Sequence, residues 1–209
     1  MSARRTMACT VLVLLLAAGA SAQDQERVRS SWYIGFGVGT FFDAACVDDG
    51  VETTWDDLYK GFDTDFPIGL NFKVGGTLGP RVLLGFDVTA ILEEGSYDSW
   101  YESLNVATVI TNLFAMLTLF PQQKGLFIRL GGGASSFSID AKYKGYGISE
   151  TISETYNGYG GLAGIGYAFW LGRRFNLTLN VDHSRQYYTD AAGPDESRFT
   201  IAYLGFDWY

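Results

Sequence analysis

The segment from Phe175 to Asp182 places the strongest constraint on the fold, because apolar and polar residues alternate strictly along it. Leu177, Leu179 and Val181 occupy every second position, with asparagine, threonine and aspartate between them. A period of two predicts a β-strand with one apolar and one polar face. The same pattern recurs along most of the chain, between tight turns and longer polar segments. The sequence therefore predicts an all-β protein.

Residues 1–22 have the features of a cleavable secretory signal. Arg4 and Arg5 precede a short apolar core at residues 11–18, and Ala-Ser-Ala at residues 20–22 fits a cleavage site for small residues. The apolar run is shorter than the ~18 residues that a transmembrane helix needs. We therefore expect an exported protein whose signal is removed.

No segment after the signal is apolar enough to form a membrane helix. An exported all-β protein of this kind is therefore either soluble or a membrane barrel. In hydrocarbon, strands satisfy their backbone hydrogen bonds only when they close into a cylinder. Charged residues make up 18% of the chain, below the ~25% of soluble domains, which favours a membrane protein. The net charge of −8 argues against a nucleic-acid partner. Only Cys46 remains in the mature chain, so no intrachain disulfide is expected, and nothing indicates a cofactor.

The segments between the alternating runs predict the topology of an eight-stranded antiparallel up-and-down transmembrane β-barrel. Three short turns are predicted around Gly79, Gln122 and Gly172. Four longer polar loops, around Val51, Ser96, Ile148 and Ala192, are predicted at Asp43–Asp63, Glu93–Glu102, Ile139–Thr155 and Tyr187–Glu196. Outer-membrane barrels have short periplasmic turns and longer extracellular loops. We therefore expect the turns and both termini in the periplasm.

Three segments resemble the small eight-stranded outer-membrane barrels of the OmpA/OmpX-like class, a porin-family barrel domain of Gram-negative bacteria. They are the aromatic and glycine alternation at residues 31–39, the glycine-rich strand at 126–133 and the end of the chain at 204–209. The resemblance covers residues 31–209, which we expect to form the barrel after the signal at 1–22 and a periplasmic lead-in at 23–30. It also implies contact with outer-membrane lipid and lipopolysaccharide, and insertion by the barrel assembly machinery. The last outward residue is Trp208, one position earlier than is usual in such proteins.

Charged residues fall on the predicted inner face of several strands. They are Lys73, Asp87, Arg129 and Asp182, with Asp207 near the end of the chain. If strands two and three pair across the turn at Gly79, with Leu78 opposite Val82, Lys73 lies opposite Asp87. Buried charges are costly unless they are paired. We expect interior ion pairs that fill the barrel; the alternative is a selective pore lined by the same groups.

The first two predicted loops are strongly acidic. Together with the adjacent Asp65, they contain twelve aspartate and glutamate residues and one lysine. Carboxylate oxygens are the ligands that calcium prefers, and Asp48, Asp49, Asp56 and Asp57 offer adjacent carboxylates. The sequence suggests a weak divalent-cation site there; the alternative is that these acids only keep the loops solvated.

Catalysis finds little support in the sequence. One family of eight-stranded barrels removes lipid A acyl chains with a histidine and a serine in His-x-Ser order. Here Ser184 directly follows His183, so the two side chains point to opposite faces of a strand. The glycine-rich segment at 158–163 matches a nucleotide-binding pattern, but a strand continues where that pattern needs a helix. We expect a structural or surface-interaction role without catalysis; the alternatives are a small channel or carrier and, after it, a lipid A-modifying enzyme.

Overall fold

The computed structural model describes residues 29, 31–64, 66–122, 125–146, 148–172, 174–190 and 193–209. Within these ranges the chain forms ten strands and one short helix. The strands are β1 (Trp32–Asp48), β2 (Val51–Thr54), β3 (Asp63–Thr64), β4 (Ile68–Gly79), β5 (Val82–Asp98), β6 (Glu102–Leu119), β7 (Leu126–Gly145), β8 (Ile148–Trp170), β9 (Phe175–Tyr188) and β10 (Glu196–Trp208). The helix α1 (Trp55–Leu58) lies between β2 and β3. None of the described helical segments has the length and apolar character to span a membrane.

Eight of these strands close into a barrel. Each of β1 and β4–β10 runs antiparallel to both of its neighbours in the sheet. The barrel closes where β10 pairs with β1, in a register that includes Phe36 opposite Phe206. This closure removes the open edges along the shared length of the strands. The predicted eight-stranded antiparallel barrel is confirmed.

The period of two sorts the side chains between the outside and the interior. Large apolar residues such as Trp32, Phe36 and Val38 are exposed on the outer surface. The alternate positions of the same strands are buried inside the barrel. Strand β6 is apolar on both faces. Its Asn112 and Thr118 side chains are buried inside the barrel, so the even-numbered positions form the inner face, as these two polar residues predicted. Lipid-facing positions cannot satisfy a polar side chain, whereas inward positions can.

Two predicted loops are wrong, because the strands continue through them. Strands β7 and β8 pair up to Gly145 opposite Ile148, so most of the predicted loop at Ile139–Thr155 is a β-hairpin. Strands β5 and β6 likewise pair up to Asp98 opposite Ser103. The high polar content of both segments suggested loops there. In an extension that leaves the membrane, however, both faces of a strand meet water, so polar residues fit on either face.

The first predicted loop, Asp43–Asp63, is also largely ordered structure. Strand β1 continues to Asp48 and turns back through β2 into the helix α1. The predicted signal at 1–22, most of the lead-in at 23–30 and the loop centre at Ala192 lie outside the described residues.

Candidate functional site

The centre of the barrel interior contains one arginine that binds two aspartates. Arg129 on β7 donates through Nη2 to the Asp87 carboxylate and through Nη1 to the Asp182 carboxylate and the Tyr203 hydroxyl. The Tyr203 hydroxyl also donates to Asp182, at 2.8 Å. Arg129, Asp87, Asp182 and Tyr203 are each at most 2% exposed. The four side chains form a bridge across the interior from β5 and β7 to β9 and β10.

A second ion pair lies beside this bridge and corrects the expected partner of Lys73. The strand register places Lys73 opposite Asp87, as predicted, even though a bulge at the turn puts Gly79 instead of Leu78 opposite Val82. The Lys73 ammonium nevertheless pairs with Asp207, at 3.5 Å. Arg129 already binds the Asp87 carboxylate, and its guanidinium reaches farther and donates more bonds than an ammonium.

Glycines on the inner face make room for these carboxylates. A Cβ atom added to Gly35 would overlap the Asp207 carboxylate, and one added to Gly164 would overlap Asp182. Each of these glycines lies directly opposite the aspartate on the neighbouring strand. The small residues that the sequence assigned to the interior therefore have a specific purpose, which is to let charged side chains fold across the lumen.

Aromatic side chains fill the interior at the end of the short turns. Tyr33, Phe120 and Phe127 form a buried cluster there, with the Phe120 and Phe127 rings 5.2 Å apart. The Arg29 guanidinium lies 3.4 Å from the centre of the Phe120 ring, in cation–π geometry. Tyr209 packs against Tyr33, with ring centres 5.9 Å apart.

The helix α1 fills the opposite end of the interior, a feature that the sequence did not predict. Trp55 is 4% exposed and packs edge-on against Phe41, and Tyr59 is 5% exposed. The Tyr59 hydroxyl lies 2.7 Å from that of Thr108 on β6. Around them lies the largest buried apolar cluster of the described residues, which includes Phe41, Ile91, Ile110, Phe137, Tyr156, Tyr188 and Phe199. We call α1 with Trp55 and Tyr59 the plug.

A local sequence signal for the plug exists. The Thr54 hydroxyl caps the helix by accepting from the Asp57 N–H at 3.2 Å, and it donates to the Asp57 carboxylate at 2.8 Å. A threonine followed three residues later by an acid marks a helix start. The cap predicts a helical turn but not its position inside the barrel, which depends on contacts with distant strands.

The plug changes the acidity of two nearby groups. Partial burial raises the pKa of Glu93, on β5 beneath the plug, to about 7, and the negative charge of Asp56 adds to the rise. Burial raises the pKa of Cys46 to about 11. Cys46 is therefore a protonated, half-buried thiol at neutral pH, which makes it a poor nucleophile.

The acids predicted as cation ligands lie at two places. Asp48 and Asp49 lie beside Asp195 of the β9–β10 loop, with one carboxylate oxygen from each within 4.8 Å of the others. Asp56 and Asp57 lie on α1, where the Asp57 carboxylate accepts the bond from Thr54. No pattern in the sequence indicated Asp195, which is 146 residues away from Asp49. Cation binding at these acids stays a prediction.

His183 and Ser184 point to opposite faces, as their order in the sequence requires. His183 is exposed on the outer surface, and its Nδ1 lies 3.0 Å from the Thr200 hydroxyl. Ser184 is buried inside the barrel and donates to the Gly161 carbonyl at 3.2 Å. The glycine-rich segment at 158–163 lies in the middle of β8, with strand on both sides of it.

Several solved structures of outer-membrane proteins are similar to this chain at low sequence identity. The attachment invasion locus protein Ail of Yersinia pestis, solved with the heparin analogue sucrose octasulfate, is 14% identical with a TM-score of 0.51, covering 87% of this chain and 100% of its own. OprG of Pseudomonas aeruginosa is 12% identical with a TM-score of 0.41, covering 89% and 100%. The outer membrane protease OmpT of Escherichia coli is 9% identical with a TM-score of 0.46, covering 90% and 99%. No curated protein matches the sequence.

The family assignment rests on a match of the sequence itself. The family model described as the outer membrane protein beta-barrel domain matches residues 10–209. In such barrels the short turns face the periplasm and the longer connections face outward, so the plug lies at the extracellular end. The chain thus belongs to the outer-membrane β-barrel family and resides in the cell outer membrane.

Proposed function

We propose that this protein acts at the cell surface as an interaction protein, and that it neither conducts solutes nor catalyses a reaction. The observation that carries the proposal is an interior filled at three levels. These levels are the aromatic cluster at the periplasmic end, the bridge centred on Arg129 and the plug at the extracellular end. An eight-stranded barrel has room for side chains but little for a column of water.

The extracellular end offers surface for partners. The strands β5 to β8 continue past the barrel and form an extension that carries exposed aromatic residues at its tips. Trp100 is 97% exposed, and the exposed rings of Tyr101 and Tyr146 stack with centres 6.4 Å apart. Exposed aromatic side chains are enriched at binding surfaces, because they bury a large area at little entropic cost. This extension supports the interaction role.

The other proposed contacts follow from location. The outward apolar side chains would face outer-membrane lipid and lipopolysaccharide, and the last strand would be read by the barrel assembly machinery during insertion. Acid–base chemistry between His183 and Ser184 has no geometric support, since they lie on opposite faces of β9. The likeness to OmpT reflects the fold alone.

Conductance in planar lipid bilayers tests the proposal against the channel alternative. We expect no reproducible single-channel steps from the purified full-length protein. A variant with Trp55→Ala and Tyr59→Ala, which empties the plug, provides a comparison for a partly opened lumen. Regular steps from the unmodified protein would favour the channel or carrier.

Mass spectrometry of lipid A tests the enzyme alternative. Cells that express the protein and cells that express a His183→Ala variant should contain the same lipid A species. A modification that depends on His183 would refute the non-catalytic role.

A further inference from the structure

Among the residues that the structure describes, one side of strand β8 has no neighbouring strand where it extends beyond the barrel. Strand β7 pairs with β8 up to Gly145 opposite Ile148, whereas β9 pairs with β8 only as far as Tyr188 opposite Gly158. Residues 148–156 therefore form the edge of the extension, and no strand covers them among the described residues. The opposite edge, on β5, is partly covered where β3 pairs with Gly95 and Ser96. We call residues 148–156 the free edge.

Hydrogen bonds at the rim show which backbone groups point out of the free edge. The Asn157 carbonyl accepts from the Thr189 N–H at 3.1 Å, and the Asn157 N–H donates to the Asp190 carboxylate at 2.8 Å. The backbone of Asn157 therefore points towards the β9 side. The backbone N–H and C=O groups of successive residues in a strand point to alternate sides. The groups that point to the same side as those of Asn157 therefore belong to Ser149, Thr151, Ser153 and Thr155. These eight groups could pair with one further strand.

The side chains of the free edge repeat with a period of four. Residues 148–155 read Ile-Ser-Glu-Thr twice. One face of the strand thus carries Ile148, Glu150, Ile152 and Glu154, and the other carries only serine and threonine. Ile148 is 62% exposed and Ile152 is 53% exposed. Edges that avoid pairing usually carry charged side chains, proline or a bulge. This segment has no lysine, proline or bulge, and its two glutamates disfavour only strands that do not bring basic residues opposite them.

We propose that the free edge binds an extended, basic segment of a partner protein, which adds a fifth strand to the extension. Lysine or arginine of that segment would lie opposite Glu150 and Glu154, and apolar residues would lie opposite Ile148 and Ile152. Main-chain hydrogen bonds supply affinity in this type of recognition, and alternate side chains supply specificity. The inference rests on the proposed surface role and names the chemistry of the partner.

The four-residue repeat argues against a second copy of this chain as the partner. In an antiparallel pair of free edges, a register that places Ile152 opposite Ile148 also places Glu150 opposite Glu150. A shift of two residues instead places isoleucine opposite glutamate. Like charges directly opposite each other are destabilising, and a partner with basic residues at the matching positions avoids the conflict.

Peptide binding to the full-length protein in lipid nanodiscs tests the inference. The probe is a labelled eight-residue peptide, Lys-Thr-Val-Thr-Lys-Thr-Val-Thr, and the control peptide has glutamate in place of both lysines. Two matched cross-strand charge pairs should make the lysine peptide bind about tenfold more tightly. Bound peptide should also slow hydrogen exchange at the amides of Thr151 and Ser153, and leave Ile152, whose amide faces β7, unchanged.

Variants separate the free edge from the rest of the acidic surface. Glu150→Lys with Glu154→Lys should reverse the preference between the two peptides. Asp140→Lys with Glu94→Lys makes the same change of charge on the opposite face of the extension and should retain the preference. Thr151→Pro removes an N–H that points out of the free edge without touching the β7 ladder, and it should abolish binding. Heat modifiability on gels confirms that each variant is folded.

Three results would overturn the inference. They are no saturable binding of the lysine peptide, binding that Thr151→Pro leaves unchanged, and protection of residues 149–155 through self-association without peptide. The proposed surface role is tested separately by bilayer conductance, so failure of the free edge can be told apart from failure of that role.

Discussion

Replacement of Arg129 by methionine is the sharpest test of the filled interior. In the folded protein this guanidinium binds both the Asp87 and the Asp182 carboxylates, and all three side chains are buried. Methionine has similar length and no charge, so the substitution removes the interactions with little change in packing. Asp87 and Asp182 would then lie buried without their cation, because the nearby Lys73 is already paired with Asp207.

The structure sets the size of the expected loss. Removal of one partner from a buried ion pair costs about 3–5 kcal/mol, because the other charge stays buried and unpaired. Arg129 serves two carboxylates, so we expect the upper end of that range, about 5 kcal/mol. Replacement of both partners is less harmful than replacement of one. The double variant Arg129→Met with Asp182→Asn should therefore recover at least about 1 kcal/mol relative to additivity.

Reversible urea unfolding in lipid vesicles, followed by tryptophan fluorescence, measures these free energies. Lys142→Met removes a positive charge from the exposed surface of the extension and should change stability by less than about 0.5 kcal/mol. A double-mutant cycle between Lys73→Met and Asp87→Asn should show weaker coupling than the cycle between Arg129 and Asp182. A loss below about 1 kcal/mol for Arg129→Met would refute the bridge as a buried ion-paired network.

Three further predictions concern the extracellular end. A membrane-impermeant maleimide should label Cys46 on intact cells, slowly because burial raises its pKa to about 11, and faster after Trp55→Ala; labelling only in permeabilised cells would reverse the topology. Burial raises the pKa of Glu93 to about 7, so its neutral form favours the docked plug at low pH, and that stabilisation is lost as pH rises from about 4 through 7. Trp55 fluorescence should follow this change, and Glu93→Gln should flatten it. Calcium should protect the first loop from protease, and Asp48→Asn with Asp49→Asn should remove this protection. Equal protection of the variant would mean that these two acids only keep the loop solvated.

The alternation of apolar and polar residues was enough to predict the barrel, because successive side chains of a strand point to opposite faces. The outward position of Phe36, the inward position of Arg129 and the opposite faces of His183 and Ser184 all follow from that period. The tight turn at Gly79 also predicted the register that places Lys73 opposite Asp87, since a short connection leaves few registers open.

The tertiary structure decided what lies across the lumen and how far each strand extends. Asp207 reaches Lys73, and Asp182 reaches Arg129, because barrel closure and strand stagger bring together residues that are far apart in sequence. Trp55 enters the interior because an apolar cluster from seven strands can bury it there. The free edge exists because β8 extends beyond the end of its pairing with β9. The length of a strand depends on the neighbour with which it pairs, and no single segment of sequence encodes that pairing.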